Sequence, residues 1–355
     1  MSEKTIFPLI IYDELRLAEL TRKRSGETRL GERVCTIPWN RREDWEFALS
    51  DMPGRYVLLG LPEDIGVRAN FGRGGAYSAW IPAVSTILNT QSNPSLTGAE
   101  IILLGHIDFS AGMDELKNAD PAASGTIDRA RELTGLIDEA VFPVLRKIIA
   151  AGKEVIVIGG GHNNAYGNLR GLSEAMREKG LPAVGCINCD AHGDLRPLEG
   201  RHSGNGFSYA LHDGYLQKYA MVGLHEMFNM DAVFEKLEGD ERLDATWFED
   251  IFIREEISFR DAIDRAIEFT GELPIGLELD LDAIQNIPSS AKTSSGFSTI
   301  NVRQMVHRIA SSSDVRYLHL AEAAPVLSHI KTDLKTGKLI AYIVADYIKA
   351  RNQYH

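Results

Sequence analysis

Short β-rich runs alternate with helical patterns from residue 56 onward, and this alternation constrains the fold more than any other feature. Seven runs read as strands: RYVLLGL, EIILLGH, KEVIVIGG, PAVGCIN, YAMVGL, PIGLELDLD and RYLHLA. Apolar residues at helical spacing cover 125–152, 164–179, 257–269, 300–312 and about 338–350. The alternation predicts an α/β fold with a mainly parallel sheet between helices on both faces.

The length of 355 residues would allow two domains, but no Pro/Ser-rich linker or low-complexity tract divides the chain. We therefore expect a single domain over residues 1–355. The stretch at about residues 1–50 lacks the clear β/α alternation, and we predict a largely helical N-terminal extension there.

Composition excludes several classes of partner. A net charge of −12 argues against binding to nucleic acid or to an anionic membrane surface. The first residues, MSEKTIFPLI, lack the apolar core and cleavage site of a signal peptide, and no 18-residue apolar run would span a membrane. An odd, sparse set of three cysteines indicates a reducing compartment, so we expect a cytoplasmic protein.

Three of the predicted strands end in ionisable side chains. In NCDAHGDLR the acidic and imidazole groups occupy every second position, so in extended chain they share one face. The carboxyl ends of parallel strands meet at one edge of the sheet, where ligands bind. The clustered groups are His162, Asp190, His192, Asp194, Asp280 and Asp282.

Two histidines and four aspartates form an oxygen-rich donor set without thiolates, which suits Mn²⁺ or a similar ion. Six ligands are too many for one open catalytic metal, so two ions about 3.5–4 Å apart are the simpler interpretation. Such a pair lowers the pKa of a bridging water. The alternative is a solvated acidic edge with no metal.

The segments GGGHNN, DAHGD and LELDLDA resemble the metal motifs of the ureohydrolase superfamily, which contains arginases, agmatinases and formimidoylglutamases. The resemblance extends over residues 56–325. It implies a three-layer α/β/α sandwich around a sheet of about eight strands, assembled as a homo-oligomer, either a trimer or a hexamer. It also implies one Mn²⁺ on His162, Asp190, Asp194 and Asp280, and a second on His192, Asp190, Asp280 and Asp282.

The resemblance further implies hydrolysis of a small-molecule amidine. Glu322, in HLAEAAP, matches the family's substrate-orienting glutamate, although on its own it could be a capping or surface acid. Asp194 resembles the residue that transfers a proton to the leaving nitrogen.

Three features favour N-formimidoyl-L-glutamate as the substrate. GVRANFGRGGA is similar to a stretch of formimidoylglutamases, Arg196 follows the metal motif, and Phe207 stands where arginases carry a histidine. A guanidinium at Arg196 would suit a substrate carboxylate. The predicted substrate contacts are Asn70, Arg73, Arg196, Ser203 and Asn205.

The sequence also departs from the family pattern. Glu278 occupies the usual serine position, and the loop 283–298 contains Gln285, Asn286 and Lys292 where other residues are expected. A guanidino-compound hydrolase releasing urea therefore remains an alternative, as does a non-catalytic metal-binding scaffold. No phosphate-binding glycine motif or G-x-S-x-G elbow is present, which argues against a nucleotide-dependent enzyme or a serine hydrolase.

Overall fold

A single nine-stranded sheet organises the chain in the computed structural model, which describes residues 7–120, 123–328 and 334–354. The strand order is β1-β3-β2-β4-β9-β8-β5-β6-β7, and every pair is parallel except β1 with β3. The strands are β1 Leu9–Ile11, β2 Tyr56–Gly60, β3 Ile101–Ile107, β4 Glu154–Ile158, β5 Gly185–Cys189, β6 Lys218–Leu224, β7 Leu243–Trp247, β8 Ile275–Asp280 and β9 Val315–Ala321.

Helices connect the strands and cover both faces of the sheet. They are α1 Glu14–Leu20, α2 Trp45–Asp51, α3 Ile65–Ala69, α4 Trp80–Leu88, α5 Ser110–Leu116, α6 Ser124–Ala150, α7 Asn164–Glu178, α8 Gly206–His212, α9 Asp231–Gly239, α10 Phe248–Phe252, α11 Phe259–Thr270, α12 Thr299–Ala310 and α13 Leu334–Arg351. Within the described ranges, no helix has the length and apolar character needed to cross a membrane.

Two hydrophobic cores lie on opposite faces of the sheet, which makes the fold a three-layer sandwich. Successive strand residues alternate between them: Leu58 and Ile156 join one core, whereas Val57 and Val155 join the other. The central strands are buried on both faces, which explains their continuous apolar sequences. The α/β sandwich predicted from the alternating pattern is confirmed.

The sheet has one strand more than the predicted number of about eight. The two strands without a sequence signal are its edges, β1 and β7. Strand β1 has only three residues and pairs antiparallel with β3, so the described residues 7–50 contain a short strand as well as helices. Strand β7, LDATW, mixes buried and half-buried residues because only one neighbour covers it.

Strands β4, β9, β8 and β5 are consecutive at the centre of the sheet. The polar segments that follow them therefore leave the sheet side by side at its carboxyl edge. These are the segments that contain the predicted metal ligands.

Candidate metal centre

The centre is built by four loops that follow the central strands. His162 lies four residues beyond the end of β4, and Asp190 comes directly after β5. Asp280 is the last residue of β8, and Glu322 comes directly after β9. The structure brings all six predicted ligands to this edge in two overlapping groups.

The first group surrounds the buried imidazole of His162. Its Nδ1 lies 3.1 Å from Oδ2 of Asp190, 3.0 Å from Oδ2 of Asp194 and 3.3 Å from Oδ2 of Asp280. This nitrogen makes no hydrogen bond of good geometry, although it is fully buried. Three carboxylate oxygens and one imidazole nitrogen thus converge on the same small volume.

The second group lies beside the first and shares Asp190 with it. Nδ1 of His192 lies 3.4 Å from Oδ1 of Asp190 and 3.5 Å from Oδ2 of Asp282. The side chain of His192 is 32% exposed, so this group faces the opening of the site. The ring of Phe228 stacks on His192 at 5.5 Å between centroids and fixes its orientation.

Ionising all of these carboxylates at this spacing is energetically unfavourable, because the like charges repel one another. Burial and the nearby charge of Asp280 raise the pKa of Asp282 well above its usual range. Burial and the charge of Asp190 raise the pKa of Asp194 to about 6. Although burial opposes it, hydrogen bonding to the two histidines lowers the pKa of Asp190. The site therefore favours added positive charge.

A pair of divalent cations fits these residues. Two ligand groups, one of His162, Asp190 and Asp280 and one of Asp190, His192 and Asp282, each have their donor atoms within 4.8 Å of one another. Nδ1 of His162 and Oδ1 of Asp282 are buried without a hydrogen-bond partner, as expected of atoms that face a cation. The donors are carboxylate and imidazole, which suits Mn²⁺ better than structural zinc.

Behind the first group lies a carboxylate whose role sequence reasoning did not identify. Glu278 is fully buried and accepts hydrogen bonds from Nδ1 of His319 (2.6 Å) and the hydroxyl of Tyr317 (2.8 Å). Its Oε2 also lies 3.4 Å from Nε2 of His162, on the side of that ring away from the aspartates. A carboxylate behind a metal-binding histidine fixes the ring and its tautomer.

Two further side chains hold the loops of the centre. The buried carboxylate of Glu63 accepts hydrogen bonds from the backbone N–H of Gly161 (2.8 Å) and the amide of Asn164 (2.7 Å). Asn229 receives the N–H of Gly193 (2.8 Å) and donates to the carbonyl of Ala191 (3.1 Å). Neither residue belongs to a motif, so no sequence signal marked them.

Asp194 and Glu322 both adopt positive φ angles, 48° and 62°. This conformation is uncommon for residues other than glycine and is strained. Oε1 of Glu322 accepts the backbone N–H of His162 (3.0 Å), and the hydroxyl of Ser290 donates to its Oε2 (3.4 Å). The strained backbone thus directs both carboxylates toward the ligand groups.

The predicted substrate residues fall in different places. Asn70 donates to the hydroxyl of Ser203 (3.3 Å), and a side chain added at Gly204 would contact both Asn70 and Arg196. These three predicted contacts therefore lie close to one another. Arg73 lies elsewhere, on the wall of a cavity of about 470 Å³ that His192 also lines.

Asn205 does not present a free polar group to a substrate. Its Oδ1 accepts from Arg201 (2.6 Å) and from the N–H of His202 (3.0 Å), and its Nδ2 donates to the carbonyls of Pro197 (3.2 Å) and Gly200 (2.8 Å). The residue is fully buried. The structure thus corrects the prediction for Asn205: its side chain shapes the loop 197–205.

Comparisons with known proteins agree with this architecture. A model of the arginase family matches residues 55–348. The formimidoylglutamase of Ralstonia nicotianae is 28% identical over 307 residues, 84% of this chain and 86% of that protein. The formimidoylglutamase of Chromobacterium violaceum is 29% identical over 328 residues, 89% and 97% of the two chains. A crystal structure of Trypanosoma cruzi formiminoglutamase with Mn²⁺ superposes with a TM-score of 0.68 at 21% identity, covering 93% of this chain and all of that one.

Proposed function

The chain belongs to the arginase family, whose model matches residues 55–348, and we propose that within this family it is a formimidoylglutamase. The reaction is hydrolysis of the formimino C–N bond of N-formimidoyl-L-glutamate, in which water is consumed and L-glutamate and formamide are released. The chain is a hydrolase of amidine C–N bonds, and the choice of substrate is the proposal.

The observation that carries the proposal is the name shared by two relatives that align with more than four fifths of this chain. The geometry is compatible with that chemistry, because a cluster able to hold two cations lies beside a carboxylate that could bind an amidinium. We propose two Mn²⁺ ions per subunit. His162, Asp190, Asp194 and Asp280 would hold one, and His192, Asp190, Asp280 and Asp282 the other.

When bound, two such ions would supply a water nucleophile with a lowered pKa. The chain's own groups then bind and position the substrate. The carboxylate of Glu322 is held at Oε1 by the N–H of His162, and its Oε2 is available to a cationic C–N group beside Ser290. This contact would fix the amidine carbon over the cluster.

Asp194 is the group we assign to proton transfer. Its side chain is 12% exposed, compared with 0% for Asp190 and 4% for Asp280, so it is the carboxylate of the first group that best reaches the open side. From there it would pass a proton to the departing amine nitrogen. The amine leaves as the amino group of glutamate.

Arg196, Asn70 and Ser203 remain proposed contacts to the amino-acid part of the substrate, and Arg73 is a proposed contact in the cavity that His192 lines. The active protein would be a cytoplasmic homo-oligomer, a trimer or hexamer, that acts on a small molecule.

Product identification tests the function. Purified protein, stripped and reloaded with Mn²⁺, is incubated separately with formimidoylglutamate, arginine, agmatine and 4-guanidinobutyrate, and formamide, urea and ammonia are measured. Formamide from the first compound alone is expected. Urea from a guanidino compound, with no formamide, would replace the proposed substrate and leave the family assignment intact.

A further inference from the structure

The loop 283–298, which follows the metal-binding strand β8, is a closed and well-anchored segment. The N–H of Gln285 donates to Phe297 (3.0 Å), and the N–H of Phe297 donates to Ala283 (2.9 Å), which joins its two ends. The N–H of Asn286 donates to the carbonyl of Thr293 (2.8 Å) across its middle. Phe297 is buried in the core and fixes the base of the loop.

The same loop is attached to the segment that presents Glu322. The N–H of Ala324 donates to the carbonyl of Pro288 (2.7 Å), and the hydroxyl of Ser290 donates to Glu322 (3.4 Å). Residues at 288–292 are therefore held at a fixed place relative to the carboxylate that we assign to the amidine.

These residues form one wall of the cavity of about 470 Å³ beside the centre. His192 and Phe228 form another wall, and Arg73 and Leu327 complete it. Lys292 thus faces the same cavity as His192, which is a proposed metal ligand.

Two cations in this cavity have no acidic partner. Within the described residues, the side chains of Lys292 and Arg73 make no hydrogen bond or ion pair, and both residues are exposed. By contrast, Arg68 and Arg201 are paired with acidic side chains: Arg68 with Asp64 at 2.7 Å, and Arg201 with Asp138 at 2.8 Å. Lys292 and Arg73 are therefore free to bind an anion.

The charge of the centre makes such cations necessary for an acidic substrate. The four aspartates and Glu322 carry up to five negative charges, which two divalent ions would not fully neutralise. The protein as a whole carries −12. An anionic amidine would enter this field only where local positive charge compensates it.

We propose that Lys292, together with Arg73, binds one carboxylate of the substrate, in addition to the contacts proposed for Arg196, and selects amidines with an acidic chain over neutral or cationic ones. This inference rests on the proposed function and deepens it. A lysine ammonium and an arginine guanidinium both form charge-assisted hydrogen bonds with carboxylates. The atypical loop would thus supply a recognition element, Lys292, that the family pattern does not contain.

The test compares Lys292→Met, Lys292→Arg and the control Lys338→Met, which removes an exposed lysine on α13 outside this cavity. Steady-state kinetics are measured with formimidoylglutamate and with N-propylformamidine, which has the reacting group but no carboxylate. Lys292→Met should raise KM for formimidoylglutamate about tenfold, as expected for the loss of about 1.4 kcal/mol. In Lys292→Met, kcat/KM for formimidoylglutamate should fall by a factor at least several times larger than kcat/KM for N-propylformamidine. Lys292→Arg should retain most of the wild-type kcat/KM for formimidoylglutamate.

An unchanged KM for formimidoylglutamate in Lys292→Met, or equal losses for both compounds, would overturn the inference and leave the proposed function standing. If the wild-type protein does not hydrolyse formimidoylglutamate, the proposed function fails separately. The inference is then tested by thermal shift with 4-guanidinobutyrate and agmatine. Lys292→Met must weaken binding of the acid more than binding of the amine, and the reverse result refutes it.

Discussion

Replacing Glu278 by glutamine tests whether this buried carboxylate positions the ring of His162, a proposed metal ligand. Each carboxylate oxygen faces two donor groups. Oε1 accepts from Tyr317 (2.8 Å) and Asn168 (3.4 Å), whereas Oε2 accepts from His319 (2.6 Å) and lies 3.4 Å from Nε2 of His162. Glutamine removes the negative charge, and in either orientation its NH₂ group is turned toward a nitrogen donor, Nε2 of His162 or Nδ2 of Asn168.

The magnitude follows from these contacts. A buried donor left without an acceptor costs about 1–3 kcal/mol, and a hydrogen bond to a charged group contributes about 1.5–3 kcal/mol. We therefore expect Glu278→Gln to lower the free energy of unfolding of the metal-free protein by about 2–4 kcal/mol. Loss of the carboxylate behind His162 should weaken Mn²⁺ binding about 10–100-fold.

Two measurements separate the effects. Chemical denaturation of the metal-free protein gives the stability change, and titration calorimetry with Mn²⁺ gives the affinity of the folded variant. Tyr317→Phe is the matched control, because it removes one donor to Glu278 (about 0.5–1.5 kcal/mol) without removing the negative charge. It should reduce Mn²⁺ affinity far less. A folded Glu278→Gln variant with wild-type Mn²⁺ affinity would refute the positioning role.

Three further predictions concern the loops and the metals. Chelation should lower the free energy of unfolding by about 2.7 kcal/mol for each ion present at a hundredfold excess over its Kd. Asp190→Ala changes both ligand groups, so the difference in melting temperature between metal-loaded and chelated protein should largely disappear in this variant. Arg201→Met breaks the buried pair with Asp138 and should cost about 3–5 kcal/mol in denaturant unfolding; a cost below 1 kcal/mol would contradict the pairing. Burial lowers the pKa of His202 to about 4, and its Nδ1 accepts the N–H of Gly204 (3.1 Å). As pH decreases, the imidazole of His202 is therefore protonated in the unfolded chain before it is protonated in the folded protein. The free energy of unfolding should fall by at most about 3 kcal/mol between about pH 6.5 and pH 4. In metal-free protein, His202→Asn should flatten this dependence, and an identical slope in both proteins would show that another group is responsible.

The fold could be predicted where the sequence pattern is unambiguous. Interior strands such as β4 are buried on both sides, so their residues are continuously apolar and easy to recognise. Edge strands are paired on one side only, and neither the three residues of β1 nor the mixed sequence of β7 carries such a signal. The boundaries of the sheet depend on tertiary pairing that no local window contains.

In the candidate centre, too, some residues carry a local sequence signal, whereas others are recognised only from tertiary contacts. The convergence of all six candidate ligand residues at one edge of the sheet could be predicted because these residues follow strand ends at short, regular spacing. Glu63 could not, because its partners at the 161–164 loop lie about a hundred residues further along the chain. Asn205 shows the opposite error: it is close in sequence to Ser203, but its amide is turned into its own loop and fully hydrogen-bonded.

The positive φ angles of Asp194 and Glu322 bear on how this protein would respond to selection for heat resistance. Glycine adopts such angles without steric cost, whereas other residues carry a strain of about 1–3 kcal/mol. Selection for thermal tolerance of the metal-free protein would therefore favour glycine at these two positions, each of which bears a carboxylate that we assign to the reaction. A library screened without an activity requirement would become more stable while losing hydrolysis, so stability and turnover must be selected together in this chain.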